Sequence, residues 1–502
     1  MSFADAYLLK AGLRKALIEP EPHPGNLISI TIPVYNESGL EKCLDSLFQC
    51  SCGVPPQAEG LKDQSGSGFH AEVLIHINAP ADAPAEILAQ NLATLEEIRT
   101  WIASHPHPSI DFHVWLDHSF SRKEAGVGTA RKILMDEAVR RFGFLDRPDG
   151  IIAGMDADAV VENNYLEALV EHFKGGGAAG SGTAGSGAAG TPDGKSAPDG
   201  GAAPDGKSAP DGGAAPDGCS IRFEHPLSNE EYGGAEMFPP EVFTAIAQYE
   251  LHLRYYLQSL RSTLYPYAFH TVGSSMAVRA DVYCMEGGMN RKQAGEDFYF
   301  IQKIAKRGNF SECNTTCVRP SPRSSDRVPF GTGRAVSQLL EGTEPLTTYH
   351  PEPFRMLRTL FEGLDEMYME EHTKNTGLSP NRKGLSPNGK ELSPQDEAED
   401  SIPGLTSLLS DFLKTQSFSA ALAEIRSNSA SLPAFRKRFW RWFSMFRIMK
   451  FLHFARERGY EDIPVEEAAT RFLKLKKTEP LEQALEQLLL KFRELDRSGS
   501  CP

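Results

Sequence analysis

The feature that most constrains the fold of this chain is a regular alternation, from residue 27 onward, of short apolar runs and longer amphipathic stretches. Residues 27–34 predict a buried strand, closed by a turn in which Ser38 can cap the next helix. Further strands are predicted at 71–78, 110–116 and 150–155, with helices at 83–103 and 128–142. Units of this spacing predict an α/β fold with a mainly parallel sheet and helices on both faces. Ligands bind such sheets at the carboxyl ends of the strands.

Length and composition narrow the class of protein. The 502 residues favour two domains or one large elaborated domain. A net charge of −15 argues against general attraction to nucleic acid. Eight cysteines are too few for a disulfide framework in a chain of this size. The N-terminus lacks the apolar core of a signal peptide, and no stretch has the roughly 18 apolar residues that a membrane span needs. We therefore expect a cytoplasmic protein.

The chain divides by pattern into three parts. Residues 1–26 are expected to form an N-terminal helical extension, 27–334 a catalytic domain, and 335–502 a mainly helical region. Two low-complexity inserts interrupt them, at 175–218 and 371–400. The first contains almost only Gly, Ala, Ser, Pro, Asp and Lys, so it is predicted to be a disordered surface loop. The second repeats Leu-Ser-Pro three times, and its prolines exclude a continuous helix.

An acidic triplet, Asp156-Ala157-Asp158, follows the fourth predicted strand directly. Two carboxylates this close repel each other unless a cation lies between them. Mg²⁺ or Mn²⁺ would take their oxygens and complete its shell with diphosphate oxygens. The alternative is an Asp-rich turn that caps the following helix, predicted at 163–173. Taken alone, the triplet does not decide between the two.

Three motifs occur in one order along the chain: Ile-Pro-Val-Tyr-Asn-Glu at 32–37, the acidic triplet, and Gly-Glu-Asp at 295–297, which is expected to follow a glycine-rich strand. Together they resemble the inverting glycosyltransferases of family 2, which have the Rossmann-like GT-A fold. The resemblance covers residues 27 to about 334. It implies transfer of a sugar from a UDP- or GDP-sugar to a glycan, lipid-linked or small-molecule acceptor, with Mn²⁺ or Mg²⁺ as cofactor. The Gln-x-x-Arg-Trp motif of processive members is absent, which favours single transfers.

The resemblance assigns donor-binding roles to several residues. The nucleoside-contacting loop of the family matches Pro33, Tyr35 and Glu37. Asn78 stands where an acidic residue commonly binds the base. Arg131 matches an arginine near the base and phosphates, with a surface salt bridge as the alternative. Asp156 and Asp158 match the metal motif, and Asp156 also contacts the donor.

The resemblance also implies the catalytic and acceptor residues. Asp297 matches the general base, which takes the proton of the acceptor hydroxyl, and Glu296 beside it would orient the acceptor. The alternative is that both acids only favour the N-terminal end of their helix, predicted at 296–307. Gly273 and His270 border the acceptor pocket of the family, although a structural role for the histidine is the competing interpretation.

A loop after that helix carries Arg323 and Arg327. We expect at least one of these arginines to close over the donor diphosphate, where charge builds in the transition state. An exposed loop with ion pairs to Asp326 is the alternative.

Residues 435–451 are predicted to form one helix with an aromatic stripe bordered by arginines and lysines. The stripe is expected to pack as core, and the alternative is peripheral contact with an anionic membrane. Two other functions stay open: a retaining transferase on the same fold, and a non-catalytic protein that binds a partner through this helix.

Overall fold

The computed structural model describes residues 2–13, 15–53, 68–122, 124–175, 215–233, 237–291, 295–325, 331–342, 345–369, 405–475 and 481–499. The predicted insert at 371–400 and residues 176–214 of the first insert lie outside these ranges. Within the described residues, no helix is both long and apolar enough to cross a membrane.

The chain forms two compact units. The first comprises residues 1–226 and 271–321, and the second comprises residues 227–270 and 322–502. Residues 227–270, which lie inside the range expected for the catalytic domain, therefore group with the C-terminal helices. The division has this form because a long helix from the middle of the sequence, Pro240–Ser262, packs on the helix Leu481–Ser498 near the end of the chain.

The first unit is built on an eight-stranded sheet with the order β3-β2-β1-β4-β7-β6-β8-β5. Its strands are β1 Asn26–Val34, β2 His70–Pro80, β3 Ile110–Phe120, β4 Ile151–Gly154, β5 Val160–Val161, β6 Gly218–Phe223, β7 Met276–Arg279 and β8 Phe310–Arg319. The first four run parallel, β7 runs antiparallel to both β4 and β6, and β6 pairs parallel with β8. The predicted α/β class, with a mainly parallel Rossmann-like sheet, is confirmed.

Helices of the first unit connect these strands. They are Asp5–Ala11, Glu41–Phe48, Ala85–Ser104, Val127–Phe144, Tyr165–Phe173, Ala280–Met285 and Glu296–Ala305. Strand β1 is buried on both faces: Ile30 and Thr31, which point to opposite sides, are both fully inaccessible. Burial on both faces is the property that a parallel sheet covered by helices requires.

Two local predictions in this unit are wrong. Ser38 does not cap the next helix, which begins at Glu41 with Leu40 at the N-cap and no side-chain cap. The segment before Gly295 is not a glycine-rich strand, because Gly287 and Gly288 have φ values of +72° and +73°, which an extended strand excludes. A Cβ on Gly288 would lie 2.1 Å from the Tyr7 hydroxyl. Because position 288 has no side chain, the N-terminal helix, which carries Tyr7, can pack against this turn.

The helix Val127–Phe144 carries the buried polar contacts that fix it to the sheet. Arg141 and Glu72 form a two-pronged ion pair with both side chains fully inaccessible, at 3.0 Å for Nε–Oε2 and 2.5 Å for Nη2–Oε1. Asp136 on the same helix accepts hydrogen bonds from the hydroxyls of Tyr7, at 2.5 Å, and Tyr283, at 2.8 Å. These contacts fix the position of the helix relative to β2, and therefore also the position of its N-terminal residues.

The second unit is mainly helical. Its helices are Asn229–Tyr232, Pro240–Ser262, Thr332–Glu341, Pro351–Glu362, Ser407–Thr415, Phe418–Ser427, Leu432–Trp442, Met445–Arg456, Val465–Phe472 and Leu481–Ser498, with two short paired strands, Thr347–Thr348 and Ile463–Pro464. The predicted helical region is confirmed.

The aromatic stripe is part of the core of the second unit. Phe435, Phe439 and Phe443 are fully inaccessible. The ring of Phe439 contacts those of Phe435 and Phe443, and Phe361 contacts both Phe439 and Phe443. The prediction of one helix over 435–451 is wrong, because Phe443 has ψ +62° and ends the first helix at Trp442. By turning the chain there, the break lets residues from both helices enter one core.

Removal of Glu72 should strongly destabilise the first unit. The Glu72→Ala variant leaves the Arg141 guanidinium buried without its partner, so we expect the free energy of unfolding to fall by about 3–5 kcal/mol in urea denaturation. Glu96→Ala, which breaks the exposed pair with Arg99, is the control and should cost less than about 1 kcal/mol. Equal effects of the two substitutions would contradict this account.

Candidate active site

The loop after β1 is held by the helix Ala85–Ser104. Asn36 has φ +48°, and its backbone N–H donates to Asn91 Oδ1 at 2.9 Å. Asn91 Nδ2 donates in turn to the backbone carbonyl of Asn78 at 3.4 Å, and the carbonyl of Glu37 accepts a hydrogen bond from the Thr94 hydroxyl. One buried asparagine thus ties the ends of β1 and β2 together. The predicted donor-binding residues Glu37 and Asn78 are both buried beside it.

The acidic triplet lies in a turn at the carboxyl end of β4. The N–H of Met155 still pairs with the Thr31 carbonyl of β1, at 3.1 Å, and the N–H of Ala159 closes the turn on the Asp156 carbonyl, also at 3.1 Å. Ala157 and Ala159 are buried, whereas Asp156 and Asp158 are only half-buried. The turn therefore directs its acids to the same edge as the β1 loop.

Arg131 is the charge that joins the two acidic parts of the site. It lies in the first turn of the helix Val127–Phe144 and is only 4% exposed. Its Nη2 bonds to Asp156 Oδ1, and its Nε lies 3.4 Å from Glu296 Oε1. Burial alone would lower the pKa of this guanidinium, but Asp156, Glu296 and Asp297 outweigh burial and raise it. The prediction that Arg131 belongs to the site stays a prediction. The salt bridge of the alternative interpretation is present, with Asp156 and Glu296, but it is buried and not at the helix surface.

Two glycines make room for that guanidinium. A Cβ on Gly273 would lie 1.9 Å from Arg131 Nη1, and a Cβ on Gly154 would lie 2.5 Å from the Gly273 carbonyl oxygen. Position 154 therefore needs glycine, because a Cβ would meet backbone, and a Cβ at position 273 would force the Arg131 guanidinium out of its place. The predicted acceptor-side residue Gly273 thus has a steric role of its own, in packing the loop before β7 onto Arg131.

Glu296 and Asp297 begin the helix Glu296–Ala305, after Gly295 at φ +70°. Glu296 is buried and Asp297 half-buried. One carboxylate oxygen of Asp297 accepts the N–H of Phe298 at 2.7 Å, and the N–H of Gly273 also bonds to this side chain. Burial raises the pKa of both acids, Arg131 opposes that rise, and the net pKa of each is above its ordinary value. The alternative, that both acids only favour the N-terminal end of their helix, is therefore incomplete, because both also interact with the buried guanidinium of Arg131.

A thiol missed by the sequence reasoning lies beneath the acidic turn. Cys43 Sγ is 3.9 Å from the Asp156 carbonyl oxygen. Burial, then the charges of Asp158, Asp156 and Glu37, raises the pKa of this thiol far above its ordinary value. The group is therefore a neutral packing element and no nucleophile. Its apolar position on the helix Glu41–Phe48 was visible in the sequence, but its neighbours were not.

The structure does not bring every predicted residue into this cluster. Tyr35 follows β1 and is half-buried, and Arg323 belongs to the second unit, while Arg327 and its expected partner Asp326 lie outside the described residues. His270 also belongs to the second unit, where its Nε2 lies 3.0 Å from Asp496 Oδ2. The contact favours the structural interpretation of this histidine, and the proposed acceptor role stays a prediction.

Few side chains at the described part of this site could coordinate a metal ion. In the described part of the chain, no three His, Cys, Asp or Glu side chains are grouped to enclose a metal. Asp156 and Asp158 still offer carboxylate oxygens at one turn, although one oxygen of Asp156 is bonded to Arg131. Mg²⁺ is commonly held by one or two carboxylates together with substrate phosphates, so these two acids fit that mode of binding.

Comparisons with known proteins add little. No protein-family model matches the sequence, and no curated protein matches it. Among solved structures, TarS 1-349 of S. aureus in complex with UDP-GlcNAc is 12% identical at a TM-score of 0.32, with 94% of this chain and 92% of that chain covered. A longer TarS structure of S. aureus is 12% identical at a TM-score of 0.30, with 62% and 42% covered. Similarity at this level establishes neither a shared fold nor a shared activity.

Replacement of Gly273 should disturb the site through Arg131. In Gly273→Ala the new methyl group collides with the guanidinium, so we expect the free energy of unfolding to fall by about 1–3 kcal/mol. In the Arg131→Ala background the same substitution should cost much less, because the colliding group is gone. Urea denaturation of the four chains measures both effects.

Gly363→Ala is the matched control, since a Cβ there would have no neighbour closer than 3.7 Å. If Gly273→Ala were equally destabilising with and without Arg131, the steric explanation would be wrong.

Proposed function

We propose that this protein is a metal-dependent glycosyltransferase that moves a sugar from a nucleoside-diphosphate sugar to an acceptor hydroxyl, by inversion and one sugar at a time. The observation that carries this proposal is the buried Arg131, which places Asp156 beside Glu296 and Asp297 at the carboxyl ends of parallel strands. Parallel α/β sheets bind their ligands at that edge. The order of the motifs in the sequence supports the same activity.

The donor half of the site consists of the β1 loop and the acidic turn. Pro33, Tyr35 and Glu37 would contact the nucleoside, and Asn78 would hydrogen-bond the base. Asp156 and Asp158 would hold Mg²⁺ or Mn²⁺ against the donor diphosphate. The metal would neutralise the negative charge that grows on the leaving diphosphate. Arg131 donates a hydrogen bond to Asp156 and thereby fixes the orientation of that carboxylate.

The acceptor half is built on Asp297. Inversion needs a carboxylate that takes the proton of the acceptor hydroxyl as oxygen bonds to the anomeric carbon and the diphosphate leaves. Burial raises the pKa of Asp297 above its ordinary value, which makes it a stronger base than an exposed aspartate, and the Arg131 guanidinium opposes that rise. Glu296 pairs with Arg131 and would orient the acceptor, which Gly273 would border.

Donor closure and acceptor identity belong to the same proposal. Arg323 or Arg327 would cover the diphosphate, and His270 would border the acceptor, which we propose to be a glycan, a lipid-linked sugar or a small molecule. The donor would be a UDP- or GDP-sugar. The anomeric configuration of the product, measured by NMR, distinguishes the proposed inverting reaction from the retaining alternative.

A screen of UDP- and GDP-sugars with Mg²⁺ or Mn²⁺ tests the proposed function. Asp297→Asn should abolish donor consumption while donor binding persists, because only the base is lost. Asp156→Asn and Asp158→Asn should abolish metal-dependent donor binding, measured by calorimetry. Asp82→Asn, at an exposed ion pair with Arg122, is the control and should leave both unchanged. A wild-type chain that binds and consumes no donor would instead favour the non-catalytic alternative.

The pH profile tests the role of Arg131. The base works only when ionised, so kcat/KM falls as pH drops through the pKa of Asp297. Arg131 lowers that pKa, and the Arg131→Met variant should therefore move the acidic limb of the profile to higher pH. Arg131→Lys should restore part of the shift. An unmoved acidic limb in Arg131→Met would show that Arg131 does not act on the base.

A further inference from the structure

The segment between Glu424 and Glu457 is unusual for this chain. It contains eight arginines and lysines and no acidic residue, although the whole protein has a net charge of −15. It includes the helices Leu432–Trp442 and Met445–Arg456. The net charge of the remaining residues is therefore more negative than that of the whole protein. This segment is a local concentration of positive charge.

Several of these cations have structural partners. Arg436 pairs with Asp365, and Arg456 lies 3.1 Å from Asp462. The guanidinium of Arg447 lies 3.6 Å from the ring centroid of Trp442. These residues stabilise the second unit and need no further explanation.

Three cations of the first helix differ from them. Lys437, Arg438 and Arg441 are exposed, and the structure gives them no hydrogen bond or ion pair with any residue it describes. Residues three and four apart lie on the same side of a helix, so the three form one surface, here called the basic face. Phe435 and Phe439, which lie away from Lys437 and Arg441 around the helix, are fully buried and anchor it. The basic face therefore points outward on a rigid support.

The arrangement has an energetic cost. Like charges four residues apart, as at positions 437 and 441, destabilise a helix by a few tenths of a kcal/mol. No acidic residue of the helix relieves that repulsion. An anionic partner outside the chain would relieve it and would be attracted to this part of an otherwise acidic protein.

We propose that the basic face, Lys437, Arg438 and Arg441, binds the surface of a bilayer that contains anionic lipids. A planar surface meets the protein from one side only, so the acidic remainder can stay away from it. Single-stranded nucleic acid is commonly bound by stacking on exposed aromatic side chains, whereas Phe435, Phe439 and Phe443 are inside the core. For the same reason the binding is electrostatic, without insertion of the aromatic stripe. The inference does not depend on the proposed function.

Co-sedimentation of the full chain with vesicles tests the proposal. Binding is expected to vesicles of mixed phosphatidylcholine and phosphatidylglycerol at low salt, and not to pure phosphatidylcholine. Raising the salt should release the protein, because screening shortens the range of the attraction to about 10 Å at 0.1 M. Each basic residue near an anionic surface raises the binding constant about fivefold. The variant K437Q/R438Q/R441Q should therefore bind about 100-fold more weakly.

The matched control is K10Q/R99Q/K174Q, which removes the same charge from three exposed positions of the first unit, two of them within helices and one at a helix C-cap. It should bind like the wild type. Circular dichroism and urea denaturation of both variants exclude loss of fold as the cause of weaker binding. No binding by the wild type, or equal loss in the two variants, would overturn the proposal. Binding of single-stranded RNA that matches the vesicle binding in strength would overturn the assignment to a bilayer.

Discussion

The buried guanidinium of Arg131 is the interaction on which the candidate site depends. A cation taken out of water is tolerated only with close acidic partners, and Arg131 obtains them from two stretches of chain far apart in sequence, at Asp156 and Glu296. The contact determines where the turn after β4 and the helix Glu296–Ala305 meet. Gly154 and Gly273 provide the space for it, and Asp136 and Arg141 hold the helix that carries it.

Local pattern was enough to predict the strands and helices that surround the site. Residues 27–34 and 71–78 are rich in Ile, Leu and Val, and a parallel sheet covered by helices is the arrangement that buries such runs. The turn chemistry was harder to predict. Ser38 is a good capping residue by type, yet the helix begins past its reach, at Glu41. The break at Phe443 depends on packing against Phe361, which no local pattern contains.

The contacts of the site were predictable only in part. Asp156 was singled out by its position directly after a predicted strand, and Asp297 by the resemblance of its motif to a known family; the roles of both stay predictions. The distance between Arg131 and Gly273, and the place of Cys43 under the acidic turn, arise from long-range packing. The grouping of residues 227–270 with the second unit has the same origin, since the helix Pro240–Ser262 bonds to residues such as Glu466 and Asp496, more than 200 positions further along the chain.

The two glycines have a consequence for how this protein can change over evolutionary time. Position 273 is closed to every side chain only while an arginine occupies position 131, so the two positions are expected to vary together among related chains. A lineage that lost the arginine would be released to accept alanine or serine at 273. A lineage that kept it would hold glycine there even after the substrate had changed. Retention of glycine at position 273 would therefore reflect the presence of the buried arginine at position 131, and not the chemistry at the site.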